Sequence, residues 1–171
     1  MMEKALPEII DKPFAIYVRM FRKKAAKIYD DKLDFKLGKA ITLKDEGNDV
    51  TLIASGIMVE RAIEAAEQLA EQGIGARVVN MHTWKPIDVE AIKESAAKTG
   101  AIVTCENHNV YGGLGSAVSE VVVRECSVPM QMVGINDEFG QVGKNAYLSE
   151  VYHITTNDIV ESAKKAISLK K

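Results

Sequence analysis

Two histidines, a glutamate and an arginine are the side chains with chemistry to offer. His82, in Asn80-Met81-His82-Thr83-Trp84, and His108, in Cys105-Glu106-Asn107-His108-Asn109, each follow an apolar run, and Glu106 stands close to His108 in the chain. Imidazoles beside a carboxylate are the raw material of a metal site or an acid–base pair. The spacing argues against metal, because no His-x-x-x-His, Cys-x-x-Cys or paired-carboxylate pattern accompanies them, and hydrogen-bonded loop or interface histidines are the plainer expectation. His153 reads as polar surface. Arg19 closes the apolar run Pro13 to Val18, and a guanidinium at a strand end can take a phosphate or carboxylate with two parallel hydrogen bonds. Ser55 and Ser116 sit beside glycines but outside a Gly-x-Ser-x-Gly elbow, which argues against a serine nucleophile. Cys105, in an apolar strand, is expected to be inert. Trp84, the only tryptophan, is a candidate contact anchor beyond a strand end.

The glycines Gly112, Gly113 and Gly115 open the run Leu114-Gly115-Ser116-Ala117-Val118-Ser119-Glu120-Val121-Val122, whose apolar residues recur at helical spacing. Free N–H groups at such a helix start can cradle a phosphate. Val118, however, stands where the third glycine of a dinucleotide fingerprint belongs. A tight, closely packed strand-to-helix turn is the stronger reading, with a free-standing nucleotide-binding module, in which Asp137 would meet the ribose, as the alternative.

These residues need a frame. A chain of 171 residues, 47% hydrophobic, can bury one good core with a short appendage. Its formal charge of −2 indicates neither a nucleic acid nor an anionic membrane as partner. Two cysteines, Cys105 and Cys126, are too few for a disulfide framework, and no apolar run reaches membrane-spanning length, so a soluble protein in a reducing, cytoplasmic setting is expected.

Residues 1–12 are too short and mixed to form a unit. Pro13 to Arg19 reads as a lone strand, followed by the basic run Arg22, Lys23, Lys24 and Lys27 and a polar linker, so that residues 1–37 look like the tail of a preceding domain, with an N-terminal edge strand of the main sheet as the alternative. From Gly38 the pattern is regular. Lys39 to Lys44 and Asp49 to Ala54 predict two strands of opposite direction. A helix follows, carrying Val59, Ala62, Ile63, Ala66, Leu69 and Ala70 inward and closing at Gly73. Ala76 to Met81 predicts a buried strand; Asp88 caps a helix that stops at Gly100; Ala101 to Thr104 predicts the next strand, with Glu106 to Asn109 in a loop beyond it. Met130 to Ile135 is the fifth strand of this region. Thr156 is placed as the cap of a last helix whose end carries Lys164, Lys165, Lys170 and Lys171. The order predicts a three-layer α/β/α fold around a mostly parallel mixed sheet, its first strand antiparallel.

Four separated blocks then carry a resemblance: Val50-Thr51-Leu52-Ile53-Ala54-Ser55-Gly56, Ala76 to Asp88, Ile102 to His108 with Gly112-Gly113-Leu114-Gly115-Ser116, and Gly134 to Gly140. In order and spacing, over residues 38–171, they resemble the C-terminal domain of transketolases, and most closely the C-terminal subunit of transketolases split into two chains. The resemblance implies a five-stranded mixed sheet and a dimeric enzyme. It also implies transfer of a two-carbon ketol unit between sugar phosphates with thiamine diphosphate and Mg²⁺. The Gly-Asp-Gly…Asn motif that holds the metal diphosphate and the glutamate that activates the cofactor are not in this sequence. The resemblance therefore places cofactor and catalytic residues on other domains, and an N-terminal transketolase subunit as partner. It leaves this chain, inactive alone, with assembly and domain packing. It makes Arg19 the candidate for the substrate phosphate, and Glu106, His108, Gly112, Gly113, Gly115, His82 and Trp84 candidates for loop and interface roles. Asn107 departs from the family's usual Glu-Glu-His. Two relatives share the domain, the 2-oxoacid dehydrogenase β subunit and deoxyxylulose phosphate synthase, and remain alternatives.

Overall fold

The computed structural model describes residues 1–22, 25–30 and 32–170; Lys23 and Lys24 of the basic run and the terminal Lys171 lie outside the described residues. After α1 (Met2–Ile9) the regular elements are β1 (Ile41–Lys44), β2 (Val50–Ala54), α2 (Met58–Glu71), β3 (Ala76–Asn80), α3 (Val89–Thr99), β4 (Ile102–Asn109) and α4 (Leu114–Val121). A π-helical turn (Val122–Cys126), β5 (Met130–Ile135), α5 (Asn145–Val151) and α6 (Thr156–Ser168) complete the order. The five strands lie in the order β1-β3-β2-β4-β5. β1 is antiparallel to β3, and the remaining pairs are parallel. The predicted mixed sheet is thus present, with α2 and α6 on one face and α3, α4 and the π-turn on the other.

Strand periodicity divides the core. Val50, Leu52 and Ala54 of β2 join Val78, Val103 and Cys105 under Met58, Ala62 and Leu69 of α2 and Ile159 and Ala163 of α6. Ile53, with Val79 and Ile102, faces the other way against Ile92, Ala96, Leu114 and Val118. Successive side chains alternate across a sheet, so strands buried on both faces are apolar throughout, and helices cover both sides. Asp88 caps α3 through Ala91 N–H at 3.3 Å, and its other oxygen accepts Ala40 N–H at 2.9 Å. One carboxylate therefore starts a helix and pins the chain arriving at β1. The end of β1 is held by Arg77, whose buried guanidinium donates to Asp45 and Glu94, each at 2.7 Å, and to Ser95 at 2.9 Å.

Four expectations change. Residues 13–19 are not a strand: among the described residues no backbone hydrogen bond ties them to the sheet, and a strand without a ladder is only an exposed segment. Most of its side chains are accordingly in water, with Phe14 57% and Tyr17 89% exposed. Second, Glu106 to Asn109 are not a loop. β4 runs on through them by way of an irregularity against β5, Asn109 pairing with Ile135 and Val110 N–H reaching Ile135 O at 2.9 Å. Third, Thr155, not Thr156, caps α6: Thr155 Oγ1 accepts Asp158 N–H at 3.3 Å while Asp158 accepts Thr155 N–H at 2.8 Å. Fourth, α5 and α1 form where the spacing predicts no helix.

The junction of β4 and α4 explains the glycines. Glu106 is fully buried, and its two oxygens accept the N–H groups of Leu114 and Gly115, each at 2.7 Å. A Cβ on Gly113 would lie 2.0 Å from Glu106 Oε2, and one on Gly115 2.8 Å from Met132 Sδ. Gly113→Ala should therefore cost about 2–3 kcal/mol, the range of overpacking in a rigid site, read as a loss of unfolding free energy in urea. Gly112→Ala meets no neighbour, only a φ of +73°, and should cost about 1 kcal/mol. Equal costs at the two positions would refute the close approach.

Burial raises the Glu106 pKa more than the two N–H groups lower it. A carboxyl whose folded-state pKa exceeds the unfolded one stabilises the fold most when protonated, and that contribution is lost as pH rises through the raised pKa. Glu106→Gln leaves one donor facing a donor and should cost about 1–3 kcal/mol. Its deficit relative to the wild type should narrow as pH climbs through the window above the ordinary carboxylate range; a deficit independent of pH would contradict the assignment.

Candidate anion-binding rim at the strand ends

The crossover from β2 runs to β3 on one side, and the crossover from β3 runs past it to β4 on the other. Open α/β sheets place ligands outside the carboxyl ends of the strands where the winding reverses in this way. Here Ser55 and Gly56 follow β2 and face Glu106 and Asn107 of β4: Ser55 N–H donates to Cys105 O at 3.1 Å, and Asn107 Oδ1 lies 3.7 Å from where a Cβ on Gly56 would stand.

The arriving segment crosses this rim. Arg19 Nη2 donates to Asn107 O at 3.1 Å, with the rest of its side chain exposed. Beyond it Ile28 packs on the core, Tyr29 hydrogen-bonds Asn80 at the end of β3, Phe35 stacks at 4.5 Å on His82, and Gly38 N–H reaches Thr83 Oγ1 at 3.3 Å. Burial drives the Tyr29 phenol up to about 12, so it stays protonated and able to donate or accept. Neither Tyr29 nor Arg77 stands out in the sequence. A lone aromatic in a polar linker and a basic residue inside a strand carry no pattern, although a charge in the middle of an otherwise apolar strand such as Arg77 does demand a buried partner.

His82 and His108 do not form a pair. His82 is half-buried between Phe35 and Thr83, with Nδ1 2.8 Å from Thr83 Oγ1 and Nε2 without a partner among the described residues, and burial lowers its pKa. His108 stands on the open rim: Nδ1 donates to Asn109 O at 2.8 Å and lies 4.0 Å from Glu106 Oε2, and the ring meets Trp84 edge-on at 5.8 Å. Among the described residues no three His, Cys, Asp or Glu side chains converge as metal ligands. Cys105 is buried and its thiol is pushed well above the thiol range. Its strand neighbour Glu106 faces the helix start.

The glycine turn spends its donors internally. Leu114 and Gly115 N–H are taken by Glu106, and Gly112 N–H by Ser116 Oγ at 2.9 Å, while Ser116 Oγ donates to Val110 O at 2.8 Å. Asp137, the ribose acid of the nucleotide-binding alternative, accepts from Asn109 Nδ2 at 3.1 Å. The anion at this helix start is the protein's own. Two surface grooves lie elsewhere, one between Lys44, Gly47 and Glu67, the other between Lys93, Ala97 and Cys126. What the rim offers is a guanidinium, an imidazole and an indole, groups that can bind an anion. Among the described residues no helix is long and apolar enough to cross a membrane.

This architecture has named counterparts. The model of the transketolase C-terminal domain matches residues 38–159. The 6-deoxy-6-sulfo-D-fructose transketolase subunit SqwH of Clostridium sp. (strain MSTE9) is 50% identical over 159 residues, covering 93% of this chain and 49% of the relative. An apulose-4-phosphate transketolase subunit of Phocaeicola vulgatus is 40% identical over 161 residues, 94% of this chain and 51% of its own. A solved split gene transketolase, described as an inactive beta4 tetramer, superposes with a TM-score of 0.84 at 45% identity, over 88% of this chain and 49% of that one. The chain thus spans about half the length of the curated relatives it matches. A family match from Gly38 through α5 and into α6, joined to a superposable sheet of this order and direction, means that the chain belongs to the transketolase C-terminal domain family.

Proposed function

We propose that this chain is the C-terminal portion of a thiamine diphosphate-dependent transketolase that moves a two-carbon ketol unit between sugar phosphates, and that its own share is assembly and domain packing. The observation that carries the reading is the likeness of the whole sheet, at 45% identity, to a split gene transketolase. The exposed segment from Phe14 to Phe21 supports it. Phe14, Tyr17, Val18, Met20 and Phe21 are all exposed along a stretch with no ladder partner among the described residues, which is how the last piece of a neighbouring domain looks without its sheet. Residues 1–37 belong in this reading to the preceding pyrimidine-binding domain and linker. An N-terminal transketolase subunit is the partner, with further contacts between copies building a dimer in the cytoplasm.

Thiamine diphosphate and Mg²⁺ are not fitted by the residues described. The glycine-turn donors that would meet a diphosphate hold Glu106, and among the described residues no acidic cluster converges for a cation. The cofactor belongs to the other domains, and no step of the reaction runs through this chain's side chains. Arg19 is the exception at the edge, positioned to receive the anionic end of the sugar. The two relatives named above carry a sulfo group and a phosphate in their substrates' names.

Assay of ketol transfer by the purified chain, alone and with the polypeptide carrying the missing domains, should give turnover only in the mixture; robust turnover by the chain alone refutes the reading. In the mixture Arg19→Ala should raise KM for a phosphorylated donor about tenfold or more with a smaller change in kcat, the signature of lost substrate binding. A screen of carbonyl substrates on the same mixture separates ketol transfer from 2-oxoacid dehydrogenase or deoxyxylulose phosphate synthase chemistry.

A further inference from the structure

We propose that His108, braced by Trp84, completes with Arg19 a subsite for a tetrahedral oxyanion at the end of β4, so that this domain contributes a binding residue of its own and not only packing. The inference rests on the reading of Arg19 as the residue that meets the sugar's anionic end, and it extends that reading to a second side chain.

Three observations converge on the rim. Arg19 spends one guanidinium nitrogen on Asn107 O, the carbonyl joined directly to His108, which fixes the guanidinium over the strand end with its other donors uncommitted among the described residues. Because a carbonyl only accepts, the 2.8 Å contact from His108 Nδ1 to Asn109 O sets that nitrogen as a donor and leaves Nε2 without a hydrogen-bond partner among the described residues, on a side chain 42% exposed. The half-exposed ring cannot turn freely, since the indole of Trp84 abuts it edge-on at 5.8 Å. In the protonated ring Nε2–H is a charged donor, and an imidazolium next along the strand from the carbonyl that holds a guanidinium suits the three oxygens of a phosphate or sulfonate.

The charged groups around the ring are Glu106 on its own strand, Arg19 from the arriving segment, and Asp137, held on Asn109. Glu106 does not spoil the site. Its carboxylate is buried and its oxygens are turned onto the Leu114 and Gly115 N–H groups, so its charge is met from the helix side.

Trp84 is the sole tryptophan, so its emission reports this rim in the full chain without any catalytic assay. Inorganic phosphate titrated into the full chain should give a saturable change in Trp84 emission. Calorimetry in parallel keeps loss of the optical signal from passing as loss of binding. His108→Asn, which keeps a donor for Asn109 O but removes Nε2, should weaken phosphate about tenfold, the scale of one charge-assisted hydrogen bond. His108→Gln, which returns a neutral donor near Nε2, should recover part of that loss, and Arg19→Ala should abolish binding. Unchanged phosphate affinity in His108→Asn alongside loss in Arg19→Ala overturns the inference while leaving the Arg19 reading in place. Unchanged affinity in both variants overturns the two together, and no saturable response from the unsubstituted chain removes the subsite outright.

Discussion

The carboxylate of Glu106 seated on the first turn of α4 is the constraint around which this end of the fold is arranged. Two short hydrogen bonds from backbone N–H groups tie the last parallel crossover to the strand that precedes it, deep in the sheet and out of water. A helix start leaves several N–H groups unpaired and carries the positive end of the helix dipole, so a negative charge placed there from within satisfies both at once. The cost is desolvation of the carboxylate, visible in its raised pKa. Because the contact needs the helix backbone to approach the strand within hydrogen-bonding reach, a side chain at Gly113 would collide with Glu106, whereas one at Gly115 would press on Met132. One buried charge thereby explains Gly113, the close approach of helix to strand and why the turn's donors do not await a phosphate.

Much of the architecture was legible because burial on both faces writes a simple code. The apolar runs of β2 and β3, the helical spacing of α2, Asp88 as a cap and Gly100 as a stop all follow from short-range physics, and their alternation implies parallel crossovers with the first strand reversed. What failed to read was whatever depends on a partner distant in sequence. Glu106 to Asn109 look like a loop because four polar residues in a row have no apolar period, yet β5 supplies their ladder and α4 their charge balance. Pro13 to Arg19 err in the opposite direction: the local pattern is that of a strand, and among the described residues the chain provides nothing to pair it with. The shift from Thr156 to Thr155 turns on a reciprocal bond with Asp158, whose three-residue spacing fits Thr155 and not Thr156.

The rim was legible residue by residue and not as a whole. His108, Trp84 and Arg19 could each be singled out by type and by position at a strand end, but their meeting required three elements, the arriving segment, the β3–α3 connection and β4, to reach the same corner. His82 shows the converse. It shares the strand-end position that made His108 attractive, yet Phe35 and Thr83 close over it, and burial lowers its pKa so that it stays neutral. Position at a strand end selects candidates; what covers the side chain decides between them.

The distribution of polar groups then separates two kinds of work. Arg77 with Asp45 and Glu94, Asp88 with Ala40 N–H, and Arg61 with Ile154 O and Ser149 each spend a charge on locking one element to another inside this domain. Buried or half-buried groups so committed cannot also turn over a substrate without unlocking the fold. Uncommitted side chains at the strand-end rim and on the segment from Phe14 to Phe21 lie along the path by which the chain reaches its sheet, while others, such as Phe139 and Val142, stand exposed elsewhere. On the proposed reading, a domain that spends its interior charges on rigidity suits holding a neighbour in register. Any chemistry it assists on that reading falls to exposed groups, since these interior charges are already committed to the fold.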